Sequence, residues 1–206
     1  MRYLPGILAM ATIVVASNIL VQHLLGQWLT YGAFTYPLAF LVNDTTNRLQ
    51  GARAARIVVV SGFFVGVICS LIGSQIEGEF GPLVSFRVAL ASGLAFLAGQ
   101  LIDISVFNRL RNRVRWWPAP LAATLIGSVL DTCVFFTIAF AVSLSFLEPG
   151  NDVTWANETL PLLGLGPAAP LWISLAAADL CVKLVLGIFA LLPFRAMVWR
   201  FSPRIA

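Results

Sequence analysis

Residues 57–76, IVVVSGFFVGVICSLIGSQI, contain no charged side chain. A helix needs roughly 20 apolar residues to cross the hydrocarbon core of a bilayer, and this stretch supplies them. The whole 206-residue chain has the same character, with 59% apolar and 11% charged residues. Soluble domains average about 45–50% apolar and about 25% charged residues. The sequence therefore predicts an all-α integral membrane protein that crosses the membrane several times.

Hydropathy predicts six transmembrane helices in a single domain, residues 1–206. The second span is short and contains Pro37, so we expect a broken or re-entrant helix there. The N-terminal segment imitates a signal peptide, but its apolar run continues to residue 25, which favours a first transmembrane helix. The predicted spans are about 4–25, 28–46, 56–76, 82–107, 117–147 and 167–193.

Basic residues mark alternate connectors between these spans. Eleven of the 13 lie before span one, after spans two and four, or in the tail: Arg2, Arg48, Arg53, Arg56, Arg109, Arg111, Arg113, Arg115, Arg195, Arg200 and Arg204. The other connectors, 22–28, 77–81 and 148–166, contain no lysine or arginine. The positive-inside rule therefore predicts that both termini are cytoplasmic. Topology explains the net charge of +4, so we expect contact with membrane lipid and no nucleic-acid partner.

The sequence gives no reason to expect a metal or a cofactor. The three cysteines lie in apolar segments without C-x-x-C spacing, as is typical of packing residues: Cys69, Cys133 and Cys181. His23 is the only histidine, and an H-E-x-x-H pattern is absent. Gly62 and Gly66 form a G-x-x-x-G motif, which predicts close helix packing within the fold or between the subunits of a homodimer.

Charged residues that topology does not explain are candidates for a site. A charge at mid-bilayer costs about 2.5–3.5 kcal/mol, so such groups face the bundle interior, pair with one another and mark functional pathways. Asp179 and Lys183 share one helix face, which predicts either a self-neutralising structural pair or a gate or substrate contact. The residues in question are Asp44, Arg87, Asp103, Asp131, Asp179 and Lys183.

The other four charged residues differ in how deep in the membrane their predicted spans place them. Asp131 lies close to the middle of span five. Asp44 and Asp103 lie nearer the cytoplasmic ends of their spans, where a solvated helix end is the alternative to a site. Arg87 lies near the outer end of span four, and we expect its side chain to snorkel to the interface.

Two of the acids occur in the same local sequence. GQLIDISVF (99–107) and GSVLDTCVF (127–135) share the frame G-[Q/S]-x-[I/L]-D-x-x-V-F. The two spans run in opposite directions, so the copies need not be symmetric halves of one site. Asp131 is the stronger site candidate, because Asp103 lies close to a cytoplasmic arginine cluster.

Polar and aromatic residues accompany the acids at helical spacing. Span four offers Ser92, Phe96, Gln100, Asp103 and Phe107, span five offers Gly127 or Ser128, Asp131 or Thr132, and Phe135, and span two offers Asn43, Asp44 and Asn47. The predicted interior is a pocket of carboxylates, amides and aromatic rings, although bundle packing also explains the aromatics alone. Rings stack on flat heterocycles, and a carboxylate can accept both donors of a guanine-like edge. Buried acids could instead carry protons in a coupled transporter. The residues alone predict a small-solute transporter or a membrane-embedded binding protein.

Four segments together carry a resemblance to a known family. They are TYPLAFLVNDTTNRLQGARAAR (35–56), GQLIDISVFNRLR (99–111), GSVLDTCVFFTIAF (127–140) and AADLCVKLVLGIFALLPFR (177–195). In this order they resemble the queuosine precursor transporters of the vitamin uptake transporter group. The resemblance implies a multi-pass protein of the bacterial inner membrane. It would take up 7-cyano-7-deazaguanine and 7-aminomethyl-7-deazaguanine for salvage into the queuosine of transfer RNA.

The resemblance also implies a substrate site and a guanine-like base as the small-molecule partner. Carried over to this chain, the site comprises Asn43, Asp44, Asn47, Gln100, Asp103, Ser128, Asp131, Asp179 and Lys183. We expect Asp131 or Asp103 to accept the donor edge of the base, and Asp179 to hold Lys183.

Two other functions are weaker alternatives. A substrate-binding S component of an energy-coupling-factor vitamin importer has a similar size and span count, but its small-residue A-x-x-x-A motif is absent from span one. An intramembrane enzyme would need a G-x-G-D-type motif or clustered acids that hold a metal. Because neither pattern occurs, we expect no enzymatic activity.

Overall fold

The computed structural model describes residues 3–78, 81–112 and 115–201, which form a bundle of helices joined by short connectors. Four of the described stretches are long and apolar enough to cross a membrane, and a shorter apolar helix precedes them. These observations confirm a mostly helical membrane protein. The helices are α1 (Leu4–Leu20), α2 (Gly32–Thr35), α3 (Pro37–Gln50), α4 (Ala52–Gly73), α5 (Phe86–Leu110), α6 (Pro118–Phe140), α7 (Leu171–Phe189) and α8 (Leu191–Phe201). The four long stretches are α4, α5, α6 and Leu171–Phe201, which comprises α7 and α8.

Each connector that lacks lysine and arginine contains a small antiparallel hairpin, which the sequence analysis did not predict. These strands are two or three residues long, which is too short to leave an alternating pattern in the sequence. The paired strands are Leu24–Leu25 with Leu29–Thr30, Glu77–Gly78 with Gly81–Pro82, and Thr159–Pro161 with Ala168–Pro170. Of the basic residues counted for topology, Arg2, Arg113 and Arg204 lie outside the described residues.

The segment predicted as span two consists of α2 and α3, which meet at Tyr36. Tyr36 keeps helical dihedral angles, with φ −57° and ψ −40°, and Pro37 is the first residue of α3. A proline is tolerated there because the first N–H groups of a helix have no intrahelical partner. α3 ends at Gly51, whose φ of +91° favours glycine, and α4 begins directly after it. Tyr36 is thereby placed at the helix junction, where its side chain reaches the site described below.

Span five was predicted to end at residue 147, but its helix ends earlier, so this prediction is wrong. α6 ends at Phe140, Ala141 is extended, and a 3₁₀ helix follows over Val142–Leu147. Arg87 of α5 explains the end, because its guanidinium donates to the carbonyl oxygens of Ile138 and Ala141. The carbonyl of Ile138, in the last turn of α6, lacks an intrahelical N–H partner, whereas that of Ala141 also accepts from the N–H of Leu144 in the 3₁₀ helix. Arg87 is fully buried, so the expectation that it snorkels to the interface is also wrong.

The core has two apolar parts on either side of a polar layer. The first part packs α1, α3, α4 and α5, with Met10, Val58 and Phe96 among its buried residues. The second packs α5, α6 and α8 around Phe107 and Phe194. Polar residues from α3, α5, α6 and α7 are buried among these helices.

The G-x-x-x-G motif packs inside this core. A Cβ added to Gly62 would lie 2.5 Å from Cγ of Met10 on α1, and one added to Gly66 would lie 3.5 Å from a methyl carbon of Val14. The missing side chains let α1 lie close against α4. Of the two uses predicted for the motif, packing within the fold is therefore the one that the structure shows.

Candidate substrate site between α3, α5, α6 and α7

The two copies of the G-x-x-x-D sequence pack reciprocally where α5 crosses α6. A Cβ added to Gly99 would lie 2.9 Å from Cβ of Asp131, and one added to Gly127 would lie 3.3 Å from Cβ of Asp103. Each glycine therefore makes room for the aspartate of the other copy. Asp103 therefore lies level with Gly127, and Asp131 lies level with Gly99. Gly99 and Asp103 are four residues apart on α5, so the two aspartates are offset by about 6 Å along the bundle. The repeat is thus a structural pair, and its acids enter two neighbouring polar clusters.

The first cluster, here called the Lys183 cluster, joins residues from the α2–α3 junction, α6 and α7. Nζ of Lys183 lies 2.6 Å from Oδ2 of Asp131 and 2.6 Å from Oδ2 of Asp179. It also donates to Oγ1 of Thr132 at 3.1 Å, and Thr132 donates to Asp179 at 2.9 Å. Tyr36 donates its hydroxyl to Oδ1 of Asp131 at 3.0 Å.

Charge in the Lys183 cluster is shared between two carboxyl groups and one ammonium group. The pairing of Asp179 with Lys183 agrees with the sequence prediction, and Asp131 is an additional partner. Three acceptors occupy the three N–H groups of Lys183, which is 4% exposed. Lys183 therefore binds a substrate only if one of these contacts breaks.

The second cluster, here called the Asp103 cluster, joins α3, α5 and α6. Asn43 donates to Oδ2 of Asp103 at 2.9 Å, and Thr124 donates to Oδ2 of Asp44 at 3.1 Å. Thr124 lies one turn of α6 from Gly127, against which Asp103 packs, so the carboxyl groups of Asp44 and Asp103 are neighbours. Asp44 is 3% exposed and Asp103 is 0% exposed, so the alternative of solvated helix ends is wrong for both.

Unpaired polar atoms surround the two clusters. Gln100 is fully buried, and both its amide oxygen and its amide nitrogen lack a hydrogen-bond partner among the described residues. The Oγ of Ser128 and the side-chain oxygens of Asn43 and Asn47 are also unpaired within the described chain. Buried polar groups in proteins are nearly always paired, so such atoms call for an explanation such as a ligand or a water molecule. They supply both donors and acceptors on α3, α5 and α6.

Aromatic rings adjoin the polar atoms. Tyr36 and Phe96 meet edge to face with their ring centroids 6.1 Å apart, and Phe40 lies against Gly127. On α6 the buried phenylalanine is Phe136, whereas the predicted Phe135 is only half-buried. A narrow cleft between α3, α6, α7 and α8 reaches Asp44 and Thr124.

The structure brings six of the nine predicted site residues into the two clusters, and the other three, Asn47, Gln100 and Ser128, are buried on the same helices. Sequence reasoning missed Tyr36, Phe40 and Thr124 as neighbours of the acids. Their signal was helical spacing: Tyr36, Phe40, Asn43 and Asn47 recur every three or four residues on α3 and its junction, as Thr124, Ser128 and Asp131 do on α6. The role of all nine residues in binding a substrate stays a prediction.

Comparison with known proteins shows which proteins this chain is related to. The queuosine precursor transporter of Escherichia coli (strain K12) is 36% identical over 195 residues, covering 88% of this chain and 79% of the relative. A protein of Haemophilus influenzae named probable queuosine precursor transporter is 35% identical over 179 residues, covering 82% of this chain and 68% of the relative. A Bacillus subtilis (strain 168) protein of the same name is 30% identical over 138 residues, covering 57% and 59%. No solved structure matches the chain.

Residues 30–198 match the vitamin uptake transporter family, and this range includes the Lys183 cluster, the Asp103 cluster and the helices that carry them. The chain is therefore a member of the vitamin uptake transporter family.

Proposed function

We propose that this chain takes up queuosine precursors, 7-cyano-7-deazaguanine and 7-aminomethyl-7-deazaguanine, across the bacterial inner membrane. The observation that carries the proposal is the identity of 36% and 35%, over most of the chain, with relatives named as queuosine precursor transporters. The alternative of an S component receives no support from these relatives. On this proposal the protein is a transporter without enzymatic activity, and its small-molecule partner is a flat, guanine-like base.

The base would bind where the unpaired atoms of the two clusters meet the aromatic rings. Gln100 offers a buried acceptor and donor side by side, which can match the mixed polar edge of a purine-like ring. Tyr36, Phe40 and Phe96 offer ring faces and edges for stacking. Asp131 would accept the donor edge of the base after Tyr36 or Lys183 gives up its contact. The proposed site remains Asn43, Asp44, Asn47, Gln100, Asp103, Ser128, Asp131, Asp179 and Lys183.

In the membrane, we propose six crossings with both termini in the cytoplasm. The four long apolar stretches support four of the crossings, and α1 together with α2–α3 would supply the other two. Exposed apolar side chains on α4, such as Phe64, Ile68 and Leu71, would contact lipid. A homodimer would have to use a surface other than Gly62 and Gly66, because α1 covers that motif.

Complementation tests the proposed cargo directly. Bacteria that cannot make the precursor but can insert it into transfer RNA should regain queuosine when they express this chain and receive external precursor. Asp131→Asn should abolish the rescue at equal membrane abundance, whereas Asp152→Asn, the same change in an exposed loop, should not. Absence of queuosine with the wild-type chain present in the membrane would refute the cargo assignment. Rescue by Asp131→Asn would make Asp131 structural.

A further inference from the structure

Asp44 and Asp103 each have one carboxyl oxygen that is bonded and one that is not. Oδ2 of Asp44 accepts from Thr124, and Oδ2 of Asp103 accepts from Asn43. Oδ1 of each residue is buried and has no donor among the described residues. The two groups are nevertheless neighbours: Asn43, next to Asp44 in the chain, donates to Asp103, and Thr124, the donor to Asp44, lies one turn of α6 from Gly127, against which Asp103 packs. Two ionised carboxylates have no hydrogen to share, whereas one added proton lets the pair form a hydrogen bond.

Among the described residues, no ion pair joins Asp44 or Asp103 to a lysine or an arginine. Lys183, on α7, is occupied by Asp131 and Asp179 and by Thr132. The arginines on α3, α5 and the helices packed against them are exposed or contact other groups. Arg48 and Arg111 each donate to the backbone of the other, Arg87 donates to the carbonyl oxygens of Ile138 and Ala141, Arg195 packs over Trp116, and Arg53, Arg56 and Arg109 are exposed. An ionised carboxylate in a dry interior is costly without a partner charge, and two close together are costlier.

We infer that Asp44 and Asp103 share one proton, and that binding and release of this proton drive the uptake of the base. The coupling rests on the proposed function, whereas the shared proton does not. With the proton bound, the pair joins α3 to α5 through a hydrogen bond. Without it, two negative charges repel each other across the same contact, so α3 and α5 move apart. A narrow cleft between α3, α6, α7 and α8 reaches Asp44, the member of the pair nearer to solvent.

Infrared spectroscopy of the purified protein tests the shared proton without any substrate. At neutral pH the wild-type chain should show the C=O stretch of a protonated carboxyl group that is protected from solvent. Asp44→Asn and Asp103→Asn should each remove or shift this band, because the remaining carboxyl group faces an amide instead of a second carboxyl group, while Asp152→Asn and Asp179→Asn should leave it unchanged. Lack of the band in the wild type refutes the inference. An unchanged band in both Asp44→Asn and Asp103→Asn also refutes the inference.

Proteoliposomes test the coupling. The wild type should exchange labelled precursor at equal pH on both sides, and an inward proton gradient should raise accumulation several-fold above that equilibrium. Asp44→Asn and Asp103→Asn should lose the gradient-driven accumulation, and Asp152→Asn should keep it.

Exchange without any effect of the proton gradient refutes the coupling but leaves the proposed function standing. Accumulation driven by a sodium gradient instead also refutes it. Failure of the wild type to exchange the precursor at all refutes the proposed function and with it the coupling, while the infrared band still decides the shared proton.

Discussion

At the scale of single residues, Lys183 connects two acids from different helices. It is the shared cation for Asp131 and Asp179, and both contacts are 2.6 Å long. Part of this arrangement could be predicted, because Asp179 and Lys183 are four residues apart on one helix. Asp131 and Tyr36 could not be assigned to Lys183 from spacing, because they come from other elements, 52 and 147 residues away in sequence. Contacts of that range are set by the packing of helices.

Removal of this cation should destabilise the protein more than removal of one of its acids. Lys183→Met leaves two neighbouring carboxyl groups without a partner charge, and loss of one partner from a buried ion pair costs about 3–5 kcal/mol. Asp179→Asn leaves the pair of Lys183 with Asp131 and should cost clearly less. Thermal unfolding in detergent measures the order of stability of these variants. The double variant Lys183→Met/Asp131→Asn should recover part of the loss. Equal melting temperatures for Lys183→Met and the wild type would contradict this account.

At the scale of elements, the crossing of α5 and α6 depends on two glycines. Hydropathy predicted both helices, and the repeated frame indicated that the two segments are related. It could not show that Gly99 packs on Asp131 and Gly127 on Asp103, because helical spacing describes one helix at a time. For a similar reason the end of α6 was placed too late: VSLSFL is apolar, and the arginine that caps the helix is far away in sequence.

Gly127→Ala should destabilise the crossing. The new Cβ would lie 2.8 Å from a ring carbon of Phe40 and 2.9 Å from the carbonyl oxygen of Gly99, so backbone must move. Overpacking of this kind costs about 1–3 kcal/mol, more than the roughly 1 kcal/mol that alanine gains over glycine in a helix. Gly66→Ala is the matched control, because its Cβ would make an ordinary 3.5 Å contact, and it should be neutral or stabilising. The melting temperatures of the two variants give the comparison. A Gly127→Ala protein as stable as the Gly66→Ala protein would show that the crossing is looser than described.

At the scale of the whole molecule, the connectors alternate along the chain both in charge and in structure. The connectors without lysine or arginine each contain a hairpin, while the link between α3 and α4 is a single glycine next to arginines. The class of protein and the alternation of charge could be predicted because both are sums over many residues. The length of each helix could not, because caps and turns decide it locally.

The proposed orientation predicts which loops react from each side. In a chain whose natural cysteines Cys69, Cys133 and Cys181 are replaced by alanine, Gly150→Cys should react with a membrane-impermeant thiol reagent in intact cells. Asn112→Cys should react only after the membrane is permeabilised. Both positions are exposed in the structure, so burial does not separate them. Mass-tagging of the protein on a gel measures the reaction. The reverse pattern would place both termini outside the cytoplasm.

The reciprocal packing of the two G-x-x-x-D copies has a consequence for insertions and deletions. Their register is fixed by contacts between the copies, Gly99 with Asp131 and Gly127 with Asp103, and not by the connector that joins the helices. Extra residues near Arg115 would lengthen a loop and leave both contacts in place. One extra residue between Gly99 and Asp103 would rotate that aspartate by about 100° and shift it along the helix. In descendants of this sequence, the loop is free to change its length, but the spacing of four residues in each copy is not.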